Sequence, residues 1–551
     1  MIRITLKETE ALAVQPITLS ELIAQLSQPH AYPHPAPSIE VHQTHISVVF
    51  LAGDFAYKVK KPVNFGFLDF STLERRKHFC DQEVRLNRRL APQVYLGVVP
   101  ITIQADQLRM GTADSPPDQV VEWAVQMKRL PGEATLENHL LHGNVQPFLL
   151  RTLAERLACF HREAERNVHI ASFGRFDVVA QNARENFKQT EPHVGVTVSA
   201  TVYERIRSLT ESHLQTHQSL IEARARRGVP CDTHGDLRLD HVYFLPENAP
   251  PNDLLLIDCI EFNDRFRFGD PALDVAFLVM DLAFHGRRDL DRVFAEAYFQ
   301  AAQDPEGALL LPLYIAYRAV VRAKVEGMEL SENEIDPAEH AAARQRARAH
   351  WLLALGELES PLKRPALVMI GGLPGTGKST LARTLANLAH FDVLRSDEIR
   401  KELAGITNES SDSSPLRQEI YEASWTQRTY EEIEKRAEKL WEDGERVIVD
   451  ANFREESQRE QLLDAAHRWG IPALFLHCRS RPETIRERLQ RRHGDASDAD
   501  WATHQALAET WQAFGPVTAR HVRELDTSGA SEETLRQAWR ALRQAEPMLF
   551  S

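Results

Sequence analysis

The stretch ALVMIGGLPGTGKST, residues Ala366–Thr380, decides the fold of the C-terminal part of this chain. It begins with a continuous apolar run, which is typical of a strand buried on both faces of a parallel sheet. The run leads into Gly372–Ser379, which matches the pattern G-x-x-x-x-G-K-[ST] at every fixed position. The sequence therefore predicts a buried strand, a phosphate-binding loop and a helix, in that order.

The residue types in this loop explain how it would bind a polyphosphate. Glycine lets consecutive backbone N–H groups turn inward around the anion, and the following helix presents the positive end of its dipole. Lys378 would reach the β- and γ-phosphates, and the Ser379 hydroxyl would ligate Mg²⁺. An ordinary glycine-rich turn is the alternative. We predict a site for ATP, with GTP also possible, formed by Gly372, Leu373, Pro374, Gly375, Thr376, Gly377, Lys378, Ser379 and Thr380.

Length and composition limit the remaining interpretations. At 551 residues the chain is too long for one core and suggests roughly three or four structural units. The formal net charge of −14 argues against a whole-chain role in coating nucleic acid or an anionic membrane, although it leaves room for a local basic patch. The five cysteines are scattered without a C-x-x-C pair, the N-terminus lacks a signal-peptide core, and no run of about 18 apolar residues occurs. We expect a cytoplasmic protein without a membrane partner.

Shifts in composition divide the chain into four segments. Residues 1–40 hold a short amphipathic helix and a Pro/His-rich linker. Residues 41–132 show strand patterns around one charged helix, and residues 133–360 are mainly helical. A proline-bounded connection, SPLKRP, leads into the P-loop domain at 361–551.

The strand-rich segment carries lysines and a helix carboxylate. Phe55 to Val59 alternates, so Lys58 and Lys60 fall on one face of a strand. The helix that follows carries Glu83. An ammonium positioned by a helix carboxylate can bind α- and β-phosphates. Because surface Lys–Glu pairs are common, this interpretation needs support from the rest of the chain.

Two aspartates stand beside apolar strands further along the chain. Asp236 lies in THGDLRLDHVYF, and Asp258 follows the run Leu254–Ile257, 22 positions later. Phosphoryl transfer requires one carboxylate for the proton of the acceptor hydroxyl and another for the metal that bridges the phosphates. The alternative is structural, with Asp236 capping a turn and Asp258 ending a strand.

These segments resemble the aminoglycoside phosphotransferase-like branch of the protein-kinase fold. The resemblance rests on HGD followed by a strand, then I-D, then GDPALD, and it extends over roughly residues 41–345. It implies a two-lobed, kinase-like fold. It also implies that Asp236 is the catalytic aspartate, that Asp258 binds Mg²⁺ and that Asp274 braces the catalytic loop.

The resemblance extends to the nucleotide contacts, with one departure. It implies that Lys58, with Lys60 as the second choice, binds phosphate and that Glu83 is its partner. The family pattern H-G-D-x-x-x-x-N expects asparagine where this chain has His241, which we keep as the candidate metal ligand at this position. Imidazole nitrogen is a poorer Mg²⁺ ligand than an amide oxygen, so a weakened or repurposed kinase module is an open alternative.

The P-loop segment carries further polar residues at the ends of strands. Asp397 and Arg400 follow the strand Phe391–Leu394, at the crevice where open α/β sheets bind ligands. Asp397 could act as a base toward an acceptor hydroxyl, and Arg400 could clamp acceptor or phosphate, although an ordinary helix start is the alternative. Asp450 follows the strand Arg446–Val449, in the position that holds Mg²⁺ directly or through water.

A later helix is rich in arginine, and its Arg488 and Arg492 suit a lid over transferring phosphates. A solvated basic face explains each arginine equally well. Together with the phosphate loop, S-D-x-x-R and V-D-A-N-F, this segment resembles the small P-loop kinases that include gluconate kinase and polynucleotide 5′-kinase. That resemblance covers about residues 365–551 and implies a parallel sheet flanked by helices.

The whole chain, a multidomain protein of mixed α/β and α+β class, resembles bifunctional aminoglycoside phosphotransferase-like/ATP-binding fusion proteins. We predict phosphoryl transfer to a hydroxyl of a small molecule, dependent on ATP and Mg²⁺. Two alternatives stay open. A polynucleotide 5′-hydroxyl kinase would need a basic groove beside Asp397, and an ATP-binding regulatory protein would carry a degenerate N-terminal module. The sequence specifies neither the acceptor nor an oligomeric state.

Overall fold

Strand-forming sequences between residues 39 and 128 pair into a six-stranded antiparallel sheet. The computed structural model describes residues 17–112, 115–116, 119–330, 336–406, 422–491 and 499–545. Along the sheet the strands follow the order β1-β2-β3-β6-β4-β5. Their bounds are β1 (Ile39–Gln43), β2 (Ser47–Ala52), β3 (Phe55–Lys60), β4 (Tyr95–Gln104), β5 (Gln107–Met110) and β6 (Val120–Lys128), and two helices flank them, Leu19–Leu26 and Leu73–Asn87.

Side chains that alternate along β3 face two different cores. Tyr57 packs into an apolar cluster with the first of these helices. Lys58 and Lys60 lie on the opposite side, where the second helix packs and supplies Glu83. The pleat of β3 therefore brings both lysines to one carboxylate.

The Pro/His-rich segment that we predicted as a linker packs against the sheet instead. Tyr32 and Ala36 are buried in the same cluster as Phe50. His34 Nε2 lies 2.9 Å from the Tyr57 hydroxyl oxygen. Burial of this apolar surface stabilises the segment, and composition does not reveal it because the contacts are made with strands further along the chain.

Short strand pairs complete the first compact unit, which comprises the described residues up to Gln146 together with Cys159–Arg166 and Cys231–Gly269. β7 pairs with β10 and β8 pairs with β9, both antiparallel. Asp236 follows β7 in the chain, and Asp258 follows β9. The bounds are β7 (Cys231–Asp232), β8 (Val242–Phe244), β9 (Leu254–Leu256) and β10 (Phe268–Gly269), with short helices at Leu136–Leu141 and Asp264–Arg267.

The second unit contains Pro147–Ala158, Asn167–Pro230 and the described chain from Asp270 onward. Asp270, Asp304 and Asp336 each cap a helix whose next residue is proline, a pairing of cap and first-turn residue that favours helix initiation. Within the described ranges, no helix is long and apolar enough to cross a membrane. The helices before the P-loop domain are Pro147–Glu163, which begins in this unit, and Val168–Ser172, Phe176–Thr190, Ala200–Arg226, Pro271–Phe284, Arg288–Ala302, Pro305–Glu329 and Pro337–Leu358.

The P-loop domain lies in the same unit and is built on a parallel five-stranded sheet in the order β12-β13-β11-β14-β15. The strands are β11 (Ala366–Gly371), β12 (Asp392–Arg395), β13 (Arg446–Asp450), β14 (Ala473–Arg479) and β15 (Val522–Asp526). The helices are Lys378–Ala389, Ser396–Leu403, Ala423–Glu442, Glu456–Arg468, Pro482–Gln490, Trp501–Glu509, Pro516–His521 and Ser531–Ala545.

Packing of the central strand determines where this domain places its polar residues. β11 is buried along its whole length between β13 and β14, and Ile370 packs with Leu385 of the following helix. The carboxyl ends of parallel strands meet at one edge of a sheet, so the loop after β11 and the residues that end or follow β12 and β13 lie together. The division of the chain at residues 40, 132 and 360 stays a prediction.

Candidate active sites

Three glycines shape the loop between β11 and the helix Lys378–Ala389. Gly372, Gly375 and Gly377 have φ angles of +138°, +83° and +88°. Residues with a Cβ atom rarely adopt these conformations. A Cβ atom at Gly372 would also lie 2.4 Å from the Cys478 carbonyl oxygen. The loop therefore requires glycine for its conformation and, at Gly372, for space.

Two side chains of the loop hydrogen-bond to its own backbone. Lys378 Nζ donates to the Leu373 carbonyl at 3.1 Å, and Thr376 Oγ1 donates to the same oxygen at 2.7 Å. The ammonium thus lies over the loop, at the N-terminus of a helix. Positive charge at that position suits an anionic ligand.

A cavity of about 300 Å³ opens beside the loop. Lys378 and Ser379 line it from the loop, Asp397 lines it from the helix after β12, and Asp450 lines it from the end of β13. Four predicted residues from three separate strand ends therefore meet around one space. Predicted loop residues Pro374, Gly375, Gly377 and Thr380 also line it, as do Asn452, Arg488 and Thr527.

Arg400 is the predicted residue that the structure places differently. It is buried, and the described residues that line the cavity do not include it. Burial raises the pKa of the nearby Tyr430 phenol, while the Arg400 charge acts in the opposite direction. The Tyr430 oxygen accepts a hydrogen bond from the Phe453 amide at 3.1 Å. Arg400 is thus a buried cation close enough to Tyr430 to affect the pKa of its phenol.

Asp450 has a cationic neighbour that sequence reasoning missed. Arg395 Nε, at the end of β12, donates to Asp450 Oδ2 at 3.3 Å, and Arg395 also pairs with Glu398.

Among the described residues no group of three or more His, Cys, Asp or Glu side chains is arranged to hold a metal ion. Mg²⁺ in kinase sites takes one or two carboxylates together with phosphate oxygens and water. The Asp450 carboxylate and the Ser379 hydroxyl are oxygen donors of this kind.

The Arg488 guanidinium lies beside the phosphate loop, and one of its two terminal nitrogens lacks an acceptor in the described part of the chain. Its Nη2 donates to the Thr527 carbonyl at 2.6 Å. Its Nη1 is buried and has no hydrogen-bond acceptor in the described part of the chain. This nitrogen lies 3.4 Å from the position of a Cβ atom on Gly377. A guanidinium nitrogen left unsatisfied beside the loop fits a phosphate oxygen. Arg492 lies outside the described residues.

Lysines and carboxylates form a cluster in the first unit that is buried except at Asp258, which is partly exposed. Lys58 Nζ lies 2.6 Å from Asp258 Oδ1 and 3.0 Å from Glu83 Oε1. Lys60 Nζ lies 2.7 Å from Glu83 Oε2 and also pairs with Glu261. Glu83 therefore bridges both lysines. Three carboxylates face two ammonium groups, so the fully ionised cluster keeps one net negative charge.

Electrostatic contacts within this cluster keep Lys58 and Asp258 ionised. Burial opposes a charge on Lys58, yet Asp258 and then Glu83 hold the pKa of Lys58 well above its ordinary value. Burial would raise the pKa of Asp258, but Lys58 and then His241 hold that pKa below its usual range. Asp258 is thus a carboxylate near neutral pH, as a metal ligand must be.

His241 connects the two aspartates of the predicted site. Its Nδ1 donates to the Asp236 carbonyl at 2.8 Å, since that oxygen can only accept. Its Nε2 lies 3.8 Å from Asp258 Oδ2 and 3.4 Å from Arg238 Nη2. The structure thus brings Asp236, His241, Asp258, Lys58 and Glu83 together. Asp274 is buried in the helix after β10.

Each half of the chain matches the model of a known protein family. A model of the phosphotransferase enzyme family matches residues 67–311, and a model of an AAA domain matches residues 367–516. An uncharacterized protein of Mycobacterium tuberculosis is 34% identical over 509 residues, covering 92% of this chain and 96% of the relative. The chain belongs to the family of that protein. This chain joins a phosphotransferase domain to a P-loop kinase domain, and it is accordingly a kinase-type transferase with an ATP-binding P-loop.

Solved structures were compared with this fusion protein as well. A gluconokinase from Sinorhizobium meliloti is 21% identical, covers 33% of this chain and 95% of its own, and has a TM-score of 0.26. A choline/ethanolamine kinase family protein from Mesorhizobium loti is 14% identical, covers 62% of this chain and 98% of its own, and has a TM-score of 0.35. The family assignment rests on the sequence relative and the two family models.

Several residues at the two sites of this fusion protein escaped sequence reasoning. Glu261 holds Lys60, and the Tyr95 hydroxyl accepts a hydrogen bond from the Asp258 amide at 3.2 Å. Glu261 stands only three positions after Asp258, a proximity that could have indicated it. Thr527 and His504 contact the phosphate loop from distant parts of the chain. No local pattern marks either of these two residues.

Proposed function

We propose that the protein transfers a phosphoryl group from ATP to a hydroxyl of a small molecule, with Mg²⁺ as the metal. The observation that carries the proposal is the shared cavity of Lys378, Ser379, Asp397 and Asp450. An ammonium, a hydroxyl and two carboxylates around one space are the groups that phosphoryl transfer uses. ATP supplies the phosphoryl group, and Mg²⁺ offsets negative charge on its phosphates.

The residues of the P-loop site have separate proposed roles. Backbone N–H groups of the loop and Lys378 bind phosphate oxygens, and Ser379 and Asp450 hold the metal. Asp397 accepts the proton of the acceptor hydroxyl, because its carboxylate lines the same cavity as Lys378. Arg488 neutralises charge with its unsatisfied Nη1. Arg400 is buried and does not line the cavity, so it is not assigned the clamping role.

A second, kinase-like site is proposed in the first unit. Lys58, positioned by Glu83, binds phosphate, and Asp258 with His241 holds the metal. Asp236 accepts the acceptor proton. The contacts of Lys58 with both Glu83 and Asp258 support an assembled site rather than a degenerate one.

A phosphate-transfer screen tests this function. The full-length chain is incubated with γ-labelled ATP, Mg²⁺ and a panel of sugars, nucleosides, amino alcohols and 5′-hydroxyl oligonucleotides. Label transferred to a small hydroxyl compound is expected. Transfer confined to oligonucleotide ends would support the polynucleotide kinase instead, and nucleotide turnover unchanged by every acceptor would support the regulatory alternative.

Single substitutions assign the transfer to a module. Lys378→Ala should abolish transfer that depends on the P-loop site, and Asp236→Asn should abolish transfer that depends on the first unit. Arg479→Ala is the matched control, because this arginine is exposed and its ion pair in the described part of the chain is with the surface Glu524. Wild-type rates in both Lys378→Ala and Asp236→Asn would refute the proposal.

A further inference from the structure

The phosphate loop is held from outside by two side chains that lie far away in sequence. His504 Nδ1 lies 2.8 Å from the Pro374 carbonyl oxygen. Thr527 Oγ1 lies 2.6 Å from the Thr376 carbonyl oxygen. Both carbonyl oxygens can only accept, so the ring nitrogen and the hydroxyl are the donors.

These two hydrogen bonds determine the direction of two backbone amides. In a trans peptide unit the C=O and N–H groups are coplanar and point in opposite directions. The Pro374 carbonyl shares its peptide plane with the Gly375 amide, and the Thr376 carbonyl shares its plane with the Gly377 amide. A carbonyl held by one of these donors therefore turns the amide of the same plane away from that donor. Neither amide has an acceptor among the residues that the structure describes.

The glycines of the loop need these hydrogen bonds to fix the neighbouring peptide planes. Gly375 and Gly377 both have positive φ angles, and glycine reaches the left-handed and right-handed regions with similar ease. The peptide planes beside them could consequently rotate unless another group holds them. His504 and Thr527 supply that restraint.

Both supporting residues are themselves held in place. The His504 ring is buried and stacks on Trp501 at 5.0 Å with an interplanar angle of 9°. Thr527 Oγ1 also lies 2.9 Å from the Arg479 carbonyl, and the Thr527 carbonyl accepts from Arg488 Nη2. The donors thus come from the helix Trp501–Glu509 and from the end of β15, not from the loop itself.

We propose that His504 and Thr527 are positioning residues that aim the Gly375 and Gly377 amides at the phosphates of the nucleotide. This inference rests on the proposed nucleotide site and adds the residues that preorganise it. An amide already aimed at the anion costs less free energy to order when the ligand binds. Loss of either donor should therefore weaken binding of a triphosphate.

Paired substitutions in the full-length chain separate the hydrogen bond from packing. His504→Phe keeps a ring against Trp501 but removes the donor, whereas His504→Asn places an amide donor near the Nδ1 position. Thr527→Val keeps the shape but removes the hydroxyl, whereas Thr527→Ser keeps it. Calorimetry with Mg·ATP and with inorganic tripolyphosphate measures affinity, and the P-loop component is the part of the signal that Lys378→Ala loses.

We expect His504→Phe and Thr527→Val each to weaken both ligands about tenfold, as the loss of one buried hydrogen bond does. His504→Asn and Thr527→Ser should restore affinity to within about threefold of the wild type. If the two donor-free variants bind like the wild type while Lys378→Ala does not, this inference is wrong and the nucleotide site stands. Equal weakening by His504→Asn and His504→Phe would also refute it. If Lys378→Ala changes nothing, the proposed P-loop function itself fails.

Discussion

Lys58 Nζ lies 2.6 Å from Asp258 Oδ1, although 200 positions separate the two residues in the chain. Lys60, two residues further along the same strand face, contacts Glu83 and Glu261 instead. The Lys60 side chain is only 1% exposed, whereas the Asp258 side chain is 39% exposed. The two lysines therefore differ in their surroundings, since one faces an accessible carboxylate and the other is enclosed by buried ones.

Substitution of these lysines should separate activity from stability. Lys60→Met leaves Glu261 buried without its cation and should lower the free energy of unfolding by about 3 kcal/mol or more. Lys58→Met should cost less stability, because Glu83 keeps Lys60, but it should abolish nucleotide turnover by the first unit. Urea unfolding and ATP turnover measured on both variants check this prediction. Equal stability losses would show that the two lysines are interchangeable.

The metal preference of the first unit should depend on His241. Its Nε2 faces Asp258, and imidazole nitrogen favours Mn²⁺ over Mg²⁺ more than an amide oxygen does. We expect Asp236-dependent turnover to be faster with Mn²⁺ in the wild type, and His241→Asn to shift the preference toward Mg²⁺. Metal titrations of both proteins in the Lys378→Ala background measure this. An unchanged Mn²⁺-to-Mg²⁺ ratio would place His241 outside the metal site.

A methyl group at Gly372 should disrupt the phosphate loop. Gly372→Ala would place a Cβ atom 2.4 Å from the Cys478 carbonyl oxygen at a φ of +138°. We expect a loss of stability of about 2–4 kcal/mol, together with loss of ATP binding. Gly356→Ala is the matched control, because among the described residues no atom beyond the neighbouring backbone of its own helix lies within 4 Å of the added group. That control should gain about 0.5–1 kcal/mol from helix propensity. Thermal unfolding and ATP calorimetry measure both effects.

The free energy of unfolding should fall as the pH rises, because the folded protein has to ionise the buried carboxyl group of Asp291. Arg288 Nη1 lies 3.3 Å from Asp291 Oδ2 and 2.6 Å from Glu357 Oε1, so two buried carboxylates share one cation. Burial raises the pKa of Asp291 to about 7, against the attraction of Arg288. Between about pH 4 and pH 7 the folded state holds a proton that the unfolded state has lost, so stability declines across this window.

Asp291→Asn should therefore remove this pH dependence. We expect the variant to be more stable than the wild type by about 2 kcal/mol at pH 8 and nearly equal at pH 4.5. Asp289→Asn is the control with the opposite sign. Burial would raise the pKa of Asp289, but Arg287 lowers it overall, so loss of this carboxylate cannot stabilise the protein at pH 8. Urea unfolding at pH 4.5 and pH 8 measures the free energy of unfolding of both variants. If both gain the same stability at pH 8, the raised pKa of Asp291 is not the cause of the pH dependence.

The P-loop module could be predicted largely from local sequence. An apolar strand, glycines at positions that need positive φ angles, and acids directly after strands are patterns of neighbouring residues. Asp397 and Asp450 were found in this way, because the carboxyl ends of parallel strands meet at one edge whatever the details of packing. The strands β12 and β13 likewise lie within one residue of the expected bounds, 391–394 and 446–449.

Only the tertiary structure shows which distant residues the side chains at the two candidate sites contact. Glu83 bridges two lysines, Arg400 is buried beside Tyr430, and His504 donates to Pro374 across 130 positions of chain. Alternation and spacing reveal which face of an element a side chain occupies, but not which distant element packs against that face. Only tertiary structure determines the direction of the phosphate-loop amides. Glycine does not restrict the neighbouring peptide planes, so distant hydrogen bonds have to hold them.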